Sequence, residues 1–369
     1  MKVTIPDELK STIPQTPWGK ILSATPIVMA VLATMLAGLA SSEMTKAQYD
    51  RSLAAQQQSK AGDQWSFFQA KRLRAATQRG TLDLLTTSAD IGPLNAALLK
   101  RSVGQLPAQL DSTSAQLAAA TRPQDEALGE YAQALPQRKT EAEQVKTELL
   151  AALETPPSGA ALTALEQAQM PEIGPEPSID PNLKAAMAAI NSPAGEKEVA
   201  PLVAKVNDKM LDEALTAAKA RADAFDAATA PVGQVIGKIE ALLARQTALL
   251  QEARAALLAG GAVPNVAAAP NREFIAARLR YMAARYDMEA KLNQAIGQLY
   301  EVQVRKSNLS AERHHVRSQR FFFGMLAAQL GVIVSTFAIA ARKRSLLWSL
   351  AAAAGLAAVA FGAYVYLFV

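Results

Sequence analysis

The chain has 369 residues, 38 Lys and Arg against 33 Asp and Glu, a formal net charge of +5, and no cysteine. Half of it is hydrophobic but only 5% aromatic, so the apolar excess is alanine and leucine, both strong helix formers. The missing cysteine excludes disulfides, thiolate metal sites and a cysteine nucleophile. The cations, interleaved with acids, read as solvated helix faces and not as a nucleic-acid patch.

The fold class expected is an all-α membrane protein, with three transmembrane helices and an elongated, Ala-rich helical bundle or coiled-coil stalk. A tail at 1–20 precedes a first membrane helix at 21–41, where Ile21 to Ala40 carries no charge. About 20 apolar residues at 1.5 Å each cover the roughly 30 Å of a hydrocarbon core. The run is too long for a signal-peptide core, and Pro26 lies in its first turns, where proline is tolerated.

Residues 42–320 hold no further spanning segment and form the extramembrane helical domain. From Ser42 to about Arg79 no proline occurs, so the first membrane helix continues outward as one rod, with Gly62 costing it about 1 kcal/mol. Gly92-Pro93 stops that rod. A helix is expected from roughly Arg122 to Glu154, followed by a Pro-rich linker at 155–181 in which Met170 to Pro181 has four prolines in twelve residues. Asp180-Pro181 and Ser192-Pro193 each read as an N-cap with a first-turn proline. One helix from about Pro193 to Leu258, kinked near Pro201 and Pro231, leads to a connector at 259–270.

Asn271 is the expected N-cap of the last soluble helix. Ile275, Leu279, Met282, Tyr286, Ile296 and Leu299 make its apolar stripe, with Glu289 and Asn293 interrupting it and loosening or polarising the packing. No proline follows Asn271, so the helix runs into the second membrane span at 321–341. A basic turn at 342–345 then precedes the third span at 346–369. Arg342, Lys343 and Arg344 determine this topology: three cations at the bilayer centre would cost about 8–10 kcal/mol together. Trp348, Tyr364 and Tyr366 fall near the two ends of the last span, as interfacial aromatics do.

The small residues Ala327, Gly331 and Ser335, and Gly355 with Ala351, recur at four-residue spacing and read as membrane-helix packing positions. Gln329 is the most polar residue in the spans; it reads as an interhelical hydrogen bond or a pore-lining amide. Alanine seams bury little area per residue, so homo-oligomerisation is expected beside the lipid bilayer as partner.

His314 and His315 are the two histidines. Adjacent helical residues point about 100° apart and do not share a metal as an i, i+4 pair does, so the pair reads as a solvated cluster at the membrane interface. No nucleotide-binding, nucleophile-elbow or zinc motif occurs. The expectation is a non-enzyme with no cofactor, no metal and no nucleic-acid partner. Trp65, Phe67 and Phe68 are the aromatic cluster of the soluble region, and Trp65 and Phe68 share one helical face, which suits core packing.

The segment Ala61–Arg74, AGDQWSFFQAKRLR, resembles the A-x-D-Q-W-x-x-Y-Q-A-K signature of a bacterial membrane-protein family known as domain of unknown function 4337. Asp63, Gln64, Trp65, Gln69, Ala70 and Lys71 carry the likeness, with phenylalanines at both positions after Ser66. Ala311–Val369, with its histidines and basic hairpin, is similar too, and a long middle from about Gly80 to Asn308 reads as extra. The resemblance implies three spans and a bacterial inner membrane, and brings no activity.

Three functions follow as expectations. The leading one is a membrane-anchored structural or assembly protein that self-associates through its stalk and membrane helices. The others are a subunit of a channel or transporter, and a sensor ectodomain that lacks its own output domain. Six cations (Lys2, Lys10, Lys20, Arg342, Lys343, Arg344) flank the membrane on one side and seven (Lys46, Arg51, Arg305, Lys306, Arg313, Arg317, Arg320) on the other. Short segments decide orientation more than long domains do, so the large domain is expected to be periplasmic.

Overall fold

The computed structural model describes residues 17–88, 90–120, 126–154, 158–174, 178–192, 195–259, 271–340 and 344–368. Among them every regular element is helical: α1 (Pro17–Ser88), α2 (Ala96–Gly104), α3 (Leu106–Ala120), α4 (Glu126–Glu154), α5 (Ser158–Gln167), α6 (Pro181–Asn191), α7 (Glu196–Val203), α8 (Asp208–Ala259), α9 (Asn271–Ala340) and α10 (Arg344–Phe368). The two long uninterrupted helices are present: α1 passes through Pro26 and Gly62, and α9 runs from the soluble region through the second span. α1, α9 and α10 are each long and apolar enough to cross a membrane, with mean hydropathies of 1.8, 1.9 and 1.9 in their apolar windows. The chain is therefore an all-α membrane protein.

The middle departs from expectation in three places. The single helix foreseen from Pro193 to Leu258 is two helices, because the chain turns at residues 204–207 and restarts at Asp208. Asn207 drives the restart, its side-chain oxygen accepting from Lys209 N at 2.9 Å. Ser192 closes α6 instead of opening the next helix: its backbone N–H and its hydroxyl both donate to the Ala189 carbonyl, at 3.3 and 2.9 Å. Gly195 stands at the N-cap of α7 instead. The linker 155–181 contains a helix, α5, because Ala161, Leu162 and Leu165 are buried in a core. Its end is a Schellman turn with Ala168 at φ 48° and Gln169 N donating to Ala164 O at 3.0 Å, a site where glycine is usual. Asp180 caps α6 as expected, accepting from Asn182 N and Leu183 N at 2.8 and 3.2 Å. The breaks at 155–157 and 260–270, and Arg342 and Lys343 of the basic turn, lie outside the described residues. Arg344 is the first residue of α10.

The chain divides into two compact units, one of Met1–Ala61, Asp180–Leu211 and Leu299–Val369, the other of Gly62–Ile179 and Asp212–Gln298. Among the described residues the second unit gathers two apolar cores. One gathers Leu99 and Val103 of α2, Leu149 of α4, Leu165 of α5, Ile239 of α8 and Phe274 and Tyr281 of α9. The other gathers Leu106 and Leu110 of α3, Val145 of α4 and Leu250, Ala253 and Leu257 of α8.

The first unit holds the membrane helices. Ala33, Leu36 and Ala40 of α1 pack with Phe321 and Ala328 of α9 and Ala358 and Val365 of α10. Two knobs of α1, seven residues apart, fill notches made by glycines. A Cβ on Gly331 would lie 3.4 Å from Met29 Sδ, and one on Gly355 only 2.8 Å from the same sulfur. A Cβ on Gly324 would lie 3.3 Å from a Leu36 methyl, and one on Gly362 3.1 Å. Gly331, Ser335, Ala351 and Gly355 are buried and Ala327 half-buried, so the small-residue stripes serve packing among the helices of one chain. Large side chains point outward: Ile27, Met35, Phe337 and Leu356 are 67, 62, 66 and 72% exposed, which is the surface lipid covers. Arg320, at the start of the second span, lies 5.7 Å from the Tyr364 ring near the end of the third, as an antiparallel hairpin requires.

Lipid tails are as apolar as leucine, so these helices associate by close fit and not by a hydrophobic gain. Replacing Gly355→Leu or Gly362→Leu therefore lowers resistance to unfolding in an SDS titration, whereas Gly38→Leu, with open space around its Cβ position, leaves it unchanged.

Candidate functional site

The signature residues divide by helical face. Asp63, Gln69 and Ala70 are exposed, and Gln64, Trp65, Phe68 and Lys71 are half-buried. Positions 64, 68 and 71 lie three and four apart, so they stack on one side of α1. That side meets α9. A Cβ on Gly297 would come within 3.5 Å of Gln64 Cβ and of the Trp65 indole, so glycine there admits the indole closely. Trp65 and Phe68 meet edge to face, with centroids 5.4 Å apart and planes at 89°, but both are half-buried and Phe67 is exposed, so the cluster lies at the surface of the helix pair and not in a core.

Two turns along, Lys71 forms an ion pair with Glu289, whose other oxygen accepts from Arg285 Nε at 2.7 Å. Glu289 is 4% exposed. The residue that interrupts the apolar stripe of α9 is thus the acceptor of two cations, one local at i−4 and one from the signature. Asn293, the other interruption, donates to the Glu289 carbonyl at 2.7 Å. Lys71 and Arg74 also lie 5.5 and 5.9 Å from the Tyr286 ring, and Arg79 pairs with Asp287. Beside this seam an open pocket of about 380 Å³ is lined by Phe67, Lys71, Lys219, Asp223 and Asn293 among others.

A buried carboxylate left without a partner costs several kcal/mol, while a neutral replacement of both partners is often tolerated. Lys71 is 26% exposed and Arg285 remains, so Lys71→Met is expected to cost about 1–3 kcal/mol. Glu289→Gln in that background should recover most of the loss, as read from thermal unfolding in detergent.

The histidines carry a correction. His314 is not a solvated residue: its Nδ1 lies 2.6 Å from Glu43 Oε2 on α1, its Nε2 lies 4.0 Å from Asp50 Oδ2, and its side chain is 22% exposed. The partners come from a helix distant in sequence, which adjacency alone did not reveal. Glu43 is 8% exposed and also accepts from Lys46 Nζ at 2.8 Å. Next to it Ser318 donates to the Ala40 carbonyl at 2.8 Å, and further out Ser307 donates to Gln57 at 2.9 Å. On its other side α9 is held by Lys306, whose Nζ reaches the Val206 carbonyl at 2.7 Å and Asp208 at 2.5 Å. Among the described residues no group of His, Asp and Glu is arranged to hold a metal.

Burial is the largest influence on the Glu43 carboxyl and pushes its pKa up, but hydrogen bonds and charges from Lys46 and His314 outweigh it and hold it below the ordinary 4.5. A carboxyl lowered in the folded state contributes stability that is full above its unfolded pKa and is lost as pH falls through the folded value. Between about pH 5 and the acid limit the wild-type protein should therefore lose stability more steeply than Glu43→Gln, measured by unfolding at a series of pH values.

Gln329, one of the expected packing residues, is exposed on the outer face of α9. No curated protein and no solved structure matches the chain. The match found is to the family model described as Domain of unknown function (DUF4337), over residues 18–155. It runs from the first membrane helix through the signature and on past Gly80, where the extra middle was expected to begin, and Ala311–Val369 lies outside it. It is this family, through the helix that carries D-Q-W and Q-A-K, that the chain resembles.

Proposed function

We propose that the protein is a non-enzymatic, membrane-anchored structural or assembly protein of the bacterial inner membrane, which self-associates through its helices. The large domain is assigned to the periplasm in this reading. One observation carries it: Leu326, Gln329, Leu330, Ile333 and Phe337, positions i, i+3, i+4, i+7 and i+11 of one helical stripe, are all exposed along the outer face of the α9 span. An amide facing hydrocarbon without a partner costs roughly 4–8 kcal/mol on alkane transfer scales. A second copy relieves that cost, because an amide side chain both donates and accepts.

The channel reading draws on the same residue, for Gln329 on an outer face lines a pore if several copies enclose one. Chemical crosslinking and native mass measurement in detergent test self-association, with a discrete oligomer expected for the wild type and a weaker one for Gln329→Leu. A clean monomer at all protein concentrations would count against the proposal. Ion flux in liposomes that disappears in Gln329→Leu would favour the channel.

A further inference from the structure

At the level where α1 and α9 leave the apolar zone, they enclose a groove of about 600 Å³, within the roughly 300–1,000 Å³ of small-molecule sites. Its floor is apolar: Ala37 and Ala40 from the first span, Phe322, Phe323 and Met325 from the second. Its mouth carries the polar Ser41, His315 and Gln319 beside Met44. The lining positions recur at three and four residues on both helices, so one face of each builds it.

The donors at the mouth are the Ser41 hydroxyl and the Gln319 amide, both on exposed residues. Gln319 Nε2 lies 3.0 Å from His315 Nε2, and an amide nitrogen carries two N–H bonds, so one remains for a ligand above the hydrophobic floor. Ser318, also in the lining, has its hydroxyl committed to the Ala40 carbonyl.

We propose that this groove binds a phospholipid, its acyl chain against Ala37, Phe322 and Met325 and its phosphate or ester oxygens accepting from Gln319 and Ser41. The position selects the occupant. The floor belongs to the spans and the mouth lies at their edge, so the ligand has to be apolar at one end and an oxygen acceptor at the other, in the orientation a bilayer lipid already has. Binding here joins α1 to α9 beside the Glu43–His314 pair, and it requires no self-association of the protein.

The test uses the full chain in nanodiscs containing a phosphatidylglycerol with a photoreactive acyl chain, with labelled peptides mapped by mass spectrometry. Label should concentrate on the peptides holding Ala37–Met44 and Phe322–Met325. Ala37→Trp, which fills the floor, should abolish that focus, while Leu39→Trp at the same depth on the opposite face of α1 should keep it. Removing the donors with Ser41→Ala and Gln319→Leu should lower labelling there about threefold to tenfold, the worth of one or two net hydrogen bonds. Label spread evenly along the spans and indifferent to Ala37→Trp would overturn the proposal, as ordinary surrounding lipid. Displacement by soluble glycerol phosphate alone would overturn it too, by assigning the mouth to a free phosphate.

Discussion

The packing of the three spans rests on a constraint that water-soluble proteins do not face. In lipid, burying one apolar helix against another brings no hydrophobic gain, because the lipid tails it displaces are equally apolar. What remains is van der Waals fit, and it depends on how closely two backbones approach. Met29 and Leu36 supply knobs; Gly331 with Gly355, and Gly324 with Gly362, supply the notches. A Cβ at Gly355 or Gly362 would crowd the Met29 or Leu36 side chain, while at Gly331 it would make ordinary contact. The spacing of the knobs, 29 and 36, is one heptad, so both point to the same seam.

Fit alone does not fix the register of Ala-rich helices, whose surfaces repeat. Buried polar pairs do, since a helix slipped by one turn would leave each acid desolvated and unpaired. Glu43 meets His314 and Lys46 in one unit, and Glu289 meets Lys71 and Arg285 in the other. In both, α1 supplies one partner and α9 the other, and each acid is less than a tenth exposed. Of the signature residues, Gln64, Trp65 and Lys71 meet α9, while Asp63, Gln69 and Ala70 are exposed. Lys71 reaches Glu289, Trp65 lies over Gly297, and Gln64 sits beside both.

The outer face of the α9 span and the groove at its edge present two different surfaces. The first is a ridge of large apolar residues around a single amide, which we propose meets another copy. The second is concave, with a polar rim over an apolar floor, suited to a molecule with that same polarity. Both place a hydrogen-bonding group at membrane depth or at its boundary, where leaving it unsatisfied is costly.

Composition and hydropathy alone determined the class: an alanine-rich chain with three charge-free runs of about 20 residues is helical and membrane-embedded, because a single apolar run satisfies its own backbone in lipid only as a helix. The absence of proline over long stretches was enough to foresee α1 and α9 as continuous helices, and Asp180-Pro181 to foresee a cap. What the sequence did not disclose were contacts between residues far apart in it. Asn207 as the start of α8, and α5 within a linker, depended on a cap and on leucines whose burial needs the rest of the core. Glu289 read as a flaw in an apolar stripe until Lys71 stood opposite it, and His314 read as solvated until Glu43 did. The small-residue stripes were visible, but only the tertiary structure assigned them to one chain's own helices and left Gln329 facing out. Periodicity tells which residues share a face; what that face meets is decided by the other helix.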